Sequence, residues 1–532
     1  MEKREGGIEP ILGLNEAVET SRLGLQKDLD GRKTLEERRK LGQFATPTAL
    51  AREIVSFGLK HIDCPDDVRF FDPAFGTWAF YSALLNLTDS RNVSAATGLE
   101  IDPLFAKAAG KLFKGFNITI LKADFIQTEP FDNHNLIICN PPYVRHHLID
   151  PDKKIPLKLK TQQISGVNLS GLAGLYCHFL LRSIQWMADG AIAGWLIPSE
   201  FMDVNYGKAV KEFLLTKTDL FRIHRFDLND LQFEDALVSS AVVWFRKGLS
   251  NSESVDFSFG DSLAAPKVIK KINKADLRPE AKWNRLSFGP PQSRDENQNS
   301  SAPKLKDYFE VKRGIATGAN DFFILEETRI HELGLPIGFF RPILPSVRFL
   351  KTLEIDSDDF GNPILPKRLF LLDCHLSEGE IQKNHPRLWQ YLESGRQKVA
   401  NGYLCGRRKR WYFQEQRPEV PLFAFSYMGR QTDQTKSAFR FILNNSKAIV
   451  SNSYLALYPK RNLKDCLNRN PVLKKLIWKS LNDLTPENIH PLGRVYGGGL
   501  NKVEPRELLN LSVPFLKNIL PKIPISSPAP PS

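Results

Sequence analysis

The chain has 532 residues, 42% of them hydrophobic and 25% charged, which is ordinary for globular protein and long enough for roughly two to four domains. Its net charge of +13 favours a polyanionic partner such as nucleic acid, the plain alternative being a basic but inert surface. The six cysteines are scattered without a CxxC pair, no apolar run approaches the roughly 20 residues of a membrane helix, and "MEKREGGIEP" lacks the apolar core of a secretory signal; a cysteine-built zinc site, a membrane location and export are all disfavoured, and a reducing cytoplasm is expected.

Residues 1–45 are polar and charged and end in "GRKTLEERRKLGQFATP", a basic extension whose cations read as a solvated helix face, with DNA contact as the other reading. From there "ALAREIVSFGL" has helical spacing, and "VRFFD", "ATGLEID" and "NLIICN" read as strands. A helix over "YCHFLLRSIQWMADG", a strand "AIAGWLIP", a helix "AVKEFLLTK" and strands "LFRIHRFD" and "SSAVVWFRK" follow. Strands alternating with helices predict an α/β fold with a mostly parallel sheet over 46–288. The breaker-rich "GPPQSRDENQNSSAPK" predicts a linker at 289–303, and 304–518 changes texture, with aromatics and basic clusters, to a second, mixed α+β domain. The Pro/Ser-rich end, 519–532, reads as a disordered tail.

Chemistry concentrates at predicted strand ends. Asp72 closes the first strand and "FDPAFG" supplies a turn with Gly76; Glu100 closes the second, where an acidic residue suits two neighbouring ribose hydroxyls. Asp124 and Phe125 follow a third short strand, an acceptor for an amino group beside a ring that can stack. Each acid alone is more often a loop carboxylate; three in order are not. The apolar Leu136–Cys139 run then stops at Asn140-Pro141-Pro142-Tyr143, where two prolines remove two donors and fix two φ angles. The result is a stiff segment presenting an amide, a carbonyl and an aromatic ring.

The ordered set "GQFATP", "DPAFG", "GLEIDP", "ADF" and "NPPY" resembles the amino-methylating DNA methyltransferases that use S-adenosylmethionine, and its order, with a C-terminal recognition domain, is similar to the gamma group typified by the TaqI modification methylase. The resemblance covers about residues 41–247 and implies a Rossmann-like catalytic fold that transfers methyl to N6 of a flipped adenine in double-stranded DNA. Carried over, Thr46, Asp72, Ala74 and Gly76 would hold the methionine end of the cofactor, Glu100 its ribose, and Asp124 with Phe125 its adenine. Asn140 and Pro141 would accept the two amino hydrogens of the target, with Pro142 stiffening the loop; Tyr143 and Phe233, in "LQFEDALVSSAVVWF", would stack on it. Trp78 stands where the family often has a second glycine.

"VKRGIATGANDFFIL" resembles the entry to the family's recognition domain, which makes Lys312, Arg313, Arg407, Arg408 and Arg430 the expected DNA contacts. No metal is expected, His146 and His147 being adjacent and divergent. The family implies a monomer and a cognate restriction endonuclease as functional partner, and the whole chain resembles the modification methylases that share the XhoI target. Other readings are a cytosine-N4 methylase, a methylase of glutamine amides or RNA bases, which also use Asn-Pro-Pro-Tyr, and a silent DNA-binding relic of a methylase.

Overall fold

The computed structural model describes residues 10–89, 92–131, 133–226, 239–248, 252–287, 302–415, 418–430, 439–484, 486–489, 492–496 and 500–520. The chain divides into two compact units that part near residue 292. The predicted linker lies almost wholly outside the described residues, as does nearly all of the predicted tail.

In the first unit, α1 (Pro10–Gly31), α2 (Leu35–Leu41) and α3 (Thr48–Leu59) precede β1 (Val68–Asp72), α4 (Ala79–Leu87), β2 (Val93–Glu100), α5 (Pro103–Leu112), β3 (Thr119–Lys122) and β4 (His134–Cys139). Then come α6 (Pro151–Ser165), α7 (Leu175–Arg182), β5 (Met187–Pro198), α8 (Gly207–Thr216), β6 (Thr218–Phe226), β7 (Ser240–Lys247), β8 (Ser254–Gly260) and β9 (Val268–Asn273). The strands make one sheet in the order β3-β2-β1-β4-β5-β7-β6-β8-β9. Five of its pairings are parallel; β7 runs antiparallel to both β5 and β6, and β9 antiparallel to β8. This is a Rossmann-like α/β fold, followed by an additional C-terminal domain.

Burial on both faces explains why the inner strands are apolar runs. In β4, Leu136 and Ile138 join the core under α3 and α4, while Ile137 and Cys139 join the core under α7 and α8. The period of two assigns successive side chains to opposite faces. Residues 10–31, taken from sequence as part of a polar extension, are also folded in: Val18, Arg22 and Leu29 of α1 are buried, the two apolar ones within the α3–α4 core.

Two expectations are corrected. The helix expected through "QWMADG" ends at Arg182; a single 3-10 turn, Ser183–Trp186, intervenes and β5 begins at Met187. Trp186 stacks on Phe71 at 4.5 Å and Met187 pairs with His134, so sheet contacts override the helical spacing there. Beyond β6 the sheet continues into β8 and β9, which the sequence reading did not assign.

The second unit contains a five-stranded sheet in the order Phe309–Arg313, Tyr454–Pro459, Phe423–Ser426, Phe441–Asn444, Glu354–Ile355, and a three-stranded sheet in the order Ile324–Glu326, Leu369–Leu372, Phe340–Ile343. Helices Arg461–Arg469 and Val472–Asn482 cover the larger sheet through Leu463, Leu467, Ile477 and Leu481. It is mixed α+β. No described helix of the chain is long and apolar enough to cross a membrane.

Candidate active site

Strand order reverses at β1, whose neighbours are β2 and β4. In an open α/β sheet that reversal opens a crevice at the carboxyl ends of the strands. A cavity of about 430 Å³ lies there, within the size range of ligand pockets. Its walls are the 42–46 segment, the loop after β1, the ends of β2 and β4, residues 123–127 and the start of α6.

Asn140, Pro142 and Val144 bring the loop after β4 to this cavity. The Asn140 Nδ2 donates to the Phe44 carbonyl at 3.0 Å and to Thr46 Oγ1 at 3.1 Å. Because the Phe44 carbonyl can only accept, the amide orientation is fixed. Its Oδ1 is buried and has no hydrogen-bond partner. Leaving such an acceptor unmet costs about 1–3 kcal/mol, so the arrangement is one for a ligand to complete. Pro141 is buried, and the Tyr143 hydroxyl donates to the Leu196 carbonyl at 3.0 Å with its ring 5.9 Å from that of Phe44. Gly42, at φ +67°, lies so close beneath that a Cβ would fall 2.5 Å from the Tyr143 nitrogen. Only glycine meets both conditions.

The loop after β1 is held by backbone donors. Asp72 Oδ1 accepts from Ala74 at 3.1 Å; burial pushes this carboxyl up to about 8, with the Glu100 charge adding to it. Glu100 accepts from the Gly76 and Asp102 amides, each at 2.8 Å, and burial raises it too. Asp102 is in turn bonded to Lys33 and to Gln43. Gly76 (φ +51°) and Trp78 (φ +63°) are both left-handed, which accounts for the glycine that the resemblance expects at position 78. Trp78 holds that conformation with its ring fully buried, edge-on to Phe113 at 6.0 Å.

Asp124 accepts from the Ile126 amide at 2.9 Å, and Phe125 lines the cavity from a core of Phe71, Phe179 and Trp186. Thr46, Asp72, Ala74, Gly76, Glu100, Asp124, Phe125 and Asn140 thus share one cavity. Phe233 lies outside the described residues. Sequence reading missed the contributions of Asp150, the N-cap of α6, of Lys153 and Leu157 on α6, and of Phe179 on α7. Among the described residues no cluster of three or more His, Cys, Asp or Glu is placed to hold a metal.

In the second unit Lys312 is exposed, 3.1 Å from Glu310 and over the Tyr458 ring. Arg313 pairs with Glu504 and lies over Tyr427. Arg408 turns inward, donating to the Ala316 and Thr317 carbonyls at 3.0 and 2.8 Å. Arg407 is exposed on the ring of an exposed Tyr403, 4.0 Å from its centroid. Arg430 closes a short strand, Met428–Arg430.

Two family models match adjoining parts of the chain: the Eco57I restriction-modification methylase over residues 79–232, and the C-terminal domain of the type II methyltransferase M.Eco57I over 292–526. The type II methyltransferase M.AccI of Acinetobacter calcoaceticus is 27% identical over 91% of this chain and 87% of its own length. M.XamI of Xanthomonas campestris pv. amaranthicola is 27% identical over 90% and 86%. Over both parts the chain is similar to type II restriction–modification methylases. Glu100, Asp124 and the Asn140–Tyr143 loop fall within the family's methylase segment, and the second-unit cations within its C-terminal domain. Among solved structures, the type IIL restriction-modification enzyme MmeI in complex with DNA is 14% identical, with a TM-score of 0.49 over 84% of this chain and 63% of its own. The type IIG restriction endonuclease BpuSI is 18% identical, with a TM-score of 0.42 over 88% and 58%. The chain spans less than two thirds of either enzyme.

Proposed function

We propose that this chain is a site-specific DNA methyltransferase that moves a methyl group from S-adenosylmethionine to N6 of an adenine flipped out of double-stranded DNA. The observation that carries this reading is the buried, partnerless Asn140 Oδ1 at the rim of a cavity lined by three strand-end acids. An exocyclic amino nitrogen delocalises its lone pair into the ring. Asn140 Oδ1 and the Pro141 carbonyl, accepting its two hydrogens, favour a more pyramidal and electron-rich nitrogen, so no general base is required. Burial strengthens both contacts.

The donor and acceptor set fits the cofactor. Glu100 and Asp124 supply acceptors for hydroxyl and amino groups, and Thr46, Asp72, Ala74 and Gly76 would hold the methionine end. The cofactor would supply a sulfonium-bound methyl group; the chain's contribution is to hold the amine in line with it, a proximity effect. Extruding the base costs a few kcal/mol, which stacking on Tyr143 and Phe233 would offset. Residues 304–518 act as the target-recognition domain, with Lys312, Arg313, Arg407, Arg408 and Arg430 as its candidate DNA contacts. The protein is the modification half of a cytoplasmic restriction–modification system, a monomer that needs no contact with its cognate endonuclease.

The test is transfer from labelled S-adenosylmethionine to unmethylated genomic DNA, with nucleosides identified by mass and Asn140→Ala run in parallel. N6-methyladenine that vanishes in the variant is expected, and mapping the modified positions then checks the XhoI target. Label in N4-methylcytosine would change the base. Label in RNA or protein would overturn the DNA assignment, and wild-type protein that binds no cofactor would leave a DNA-binding relic.

A further inference from the structure

Helix α1 is not among the elements the resemblance assigns to chemistry, yet it carries a fully buried arginine. Arg22 makes five hydrogen bonds, matching its five donors: two to Glu19, each at 2.7 Å, one to Thr48 Oγ1 at 3.0 Å, one to Gln26 at 2.9 Å and one to the Thr77 carbonyl at 3.0 Å. Glu19 in turn accepts from Thr48 and from Ser82, each at 2.5 Å. The pair therefore ties α1 to the first turn of α3, to α4 and to the loop after β1.

Thr77 is the residue between Gly76, whose amide reaches Glu100, and the left-handed Trp78. Its carbonyl orients the peptide that joins it to Trp78. Trp78 is the N-cap of α4 and makes no side-chain capping bond, so the loop is braced from outside. We propose that the Glu19–Arg22 pair is a positioning element for the cofactor loop: by holding the Thr77 carbonyl it sets the Gly76–Trp78 backbone and hence cofactor affinity, without touching cofactor or DNA. The inference rests on the proposed use of S-adenosylmethionine.

A buried pair fully satisfied by fixed partners preorganises whatever it holds, and preorganisation appears as affinity. Arg22→Ala should raise the KM and Kd for S-adenosylmethionine by about tenfold or more, the scale of one charge-assisted hydrogen bond, while kcat at saturating cofactor and affinity for DNA stay within about threefold. Arg22→Lys, which keeps the charge but cannot fork to Glu19 and Thr77 together, should give a smaller rise. Gln26→Ala removes an Arg22 bond that does not reach the loop and should leave the cofactor KM unchanged.

A helix that merely stabilised the fold would lower the melting midpoint and the active fraction, with cofactor KM unchanged in what remains folded; that result overturns the proposal. If Arg22→Ala does not fold, Arg22→Lys and Glu19→Gln carry the same comparison, and failure of all three to fold makes the pair a folding element and also overturns it. Wild-type protein that binds no S-adenosylmethionine sinks the functional reading instead, so the two failures are distinguishable.

Discussion

The loops after β1 and β4 face one cavity but are held by opposite means. Asn140–Tyr143 gets its rigidity covalently: two prolines need no donors met and leave few backbone states. One amide nitrogen anchored to the 44–46 segment then aims the remaining acceptor. Asp72–Trp78 has a single proline, Pro73, and two left-handed residues; beyond the internal Ala74–Asp72 bond it depends on Glu100 and Arg22 from around it. The reactive loop is rigid by composition, whereas the binding loop is rigid by context. Substitutions in the first should therefore cost chemistry, and substitutions around the second should cost affinity or stability.

The sharpest break of this contrast is Asn140→Ala. It should lower kcat by about 10²–10³-fold or more, on the scale of losing one preorganised polar contact, with S-adenosylmethionine binding by calorimetry unchanged. Equal losses in both would mean that the two loops are one unit. Next comes Trp78→Gly. Relief of the left-handed strain returns about 1–2 kcal/mol, but the lost ring costs about 3–5 kcal/mol, so denaturant unfolding should report a net loss of about 1–4 kcal/mol. A gain in stability would mean that strain, not packing, dominates position 78.

Gly42→Ala should cost about 1–3 kcal/mol of stability and disturb the tetrapeptide before the cofactor, lowering kcat more than it raises the cofactor KM. The smallest effect concerns pH. Unfolded Asp72 loses its proton near pH 4, whereas the folded residue keeps it to about 8, so the native state holds the extra proton between those values and stability falls as pH rises. Buried His178 and His224, held down to about 4, act in the opposite sense below about 6.5. From about pH 6.5 to 8 Asp72→Asn should therefore flatten the decline in melting temperature.

The tetrapeptide was legible because its constraint is local: four consecutive residues carry both the stiffness and the acceptors. The inner strands were legible because burial on both faces leaves only apolar residues. The brace was not, since Arg22 finds its partner carbonyl 55 residues away and no spacing within α1 announces it. Nor was the start of β5, where pairing with His134 outweighs the helical texture of "QWMADG". The basic clusters of the second unit gave composition without direction: Arg407 faces solvent while its neighbour Arg408 clamps the Ala316 and Thr317 carbonyls.

The extension of the sheet into β9 bears on how the protein behaves among its own copies. Among the described residues it is the outer strand, and the open side of an edge strand is a template for another strand. Val268 and Ile269 are exposed there, 37% and 53%, the composition that invites such pairing. Lys270 and Lys271 follow directly, and two like charges brought against the same two in a second copy repel. The expected consequence is that replacing both lysines lowers solubility at high concentration, at a strand far along the chain from any residue that handles a methyl group.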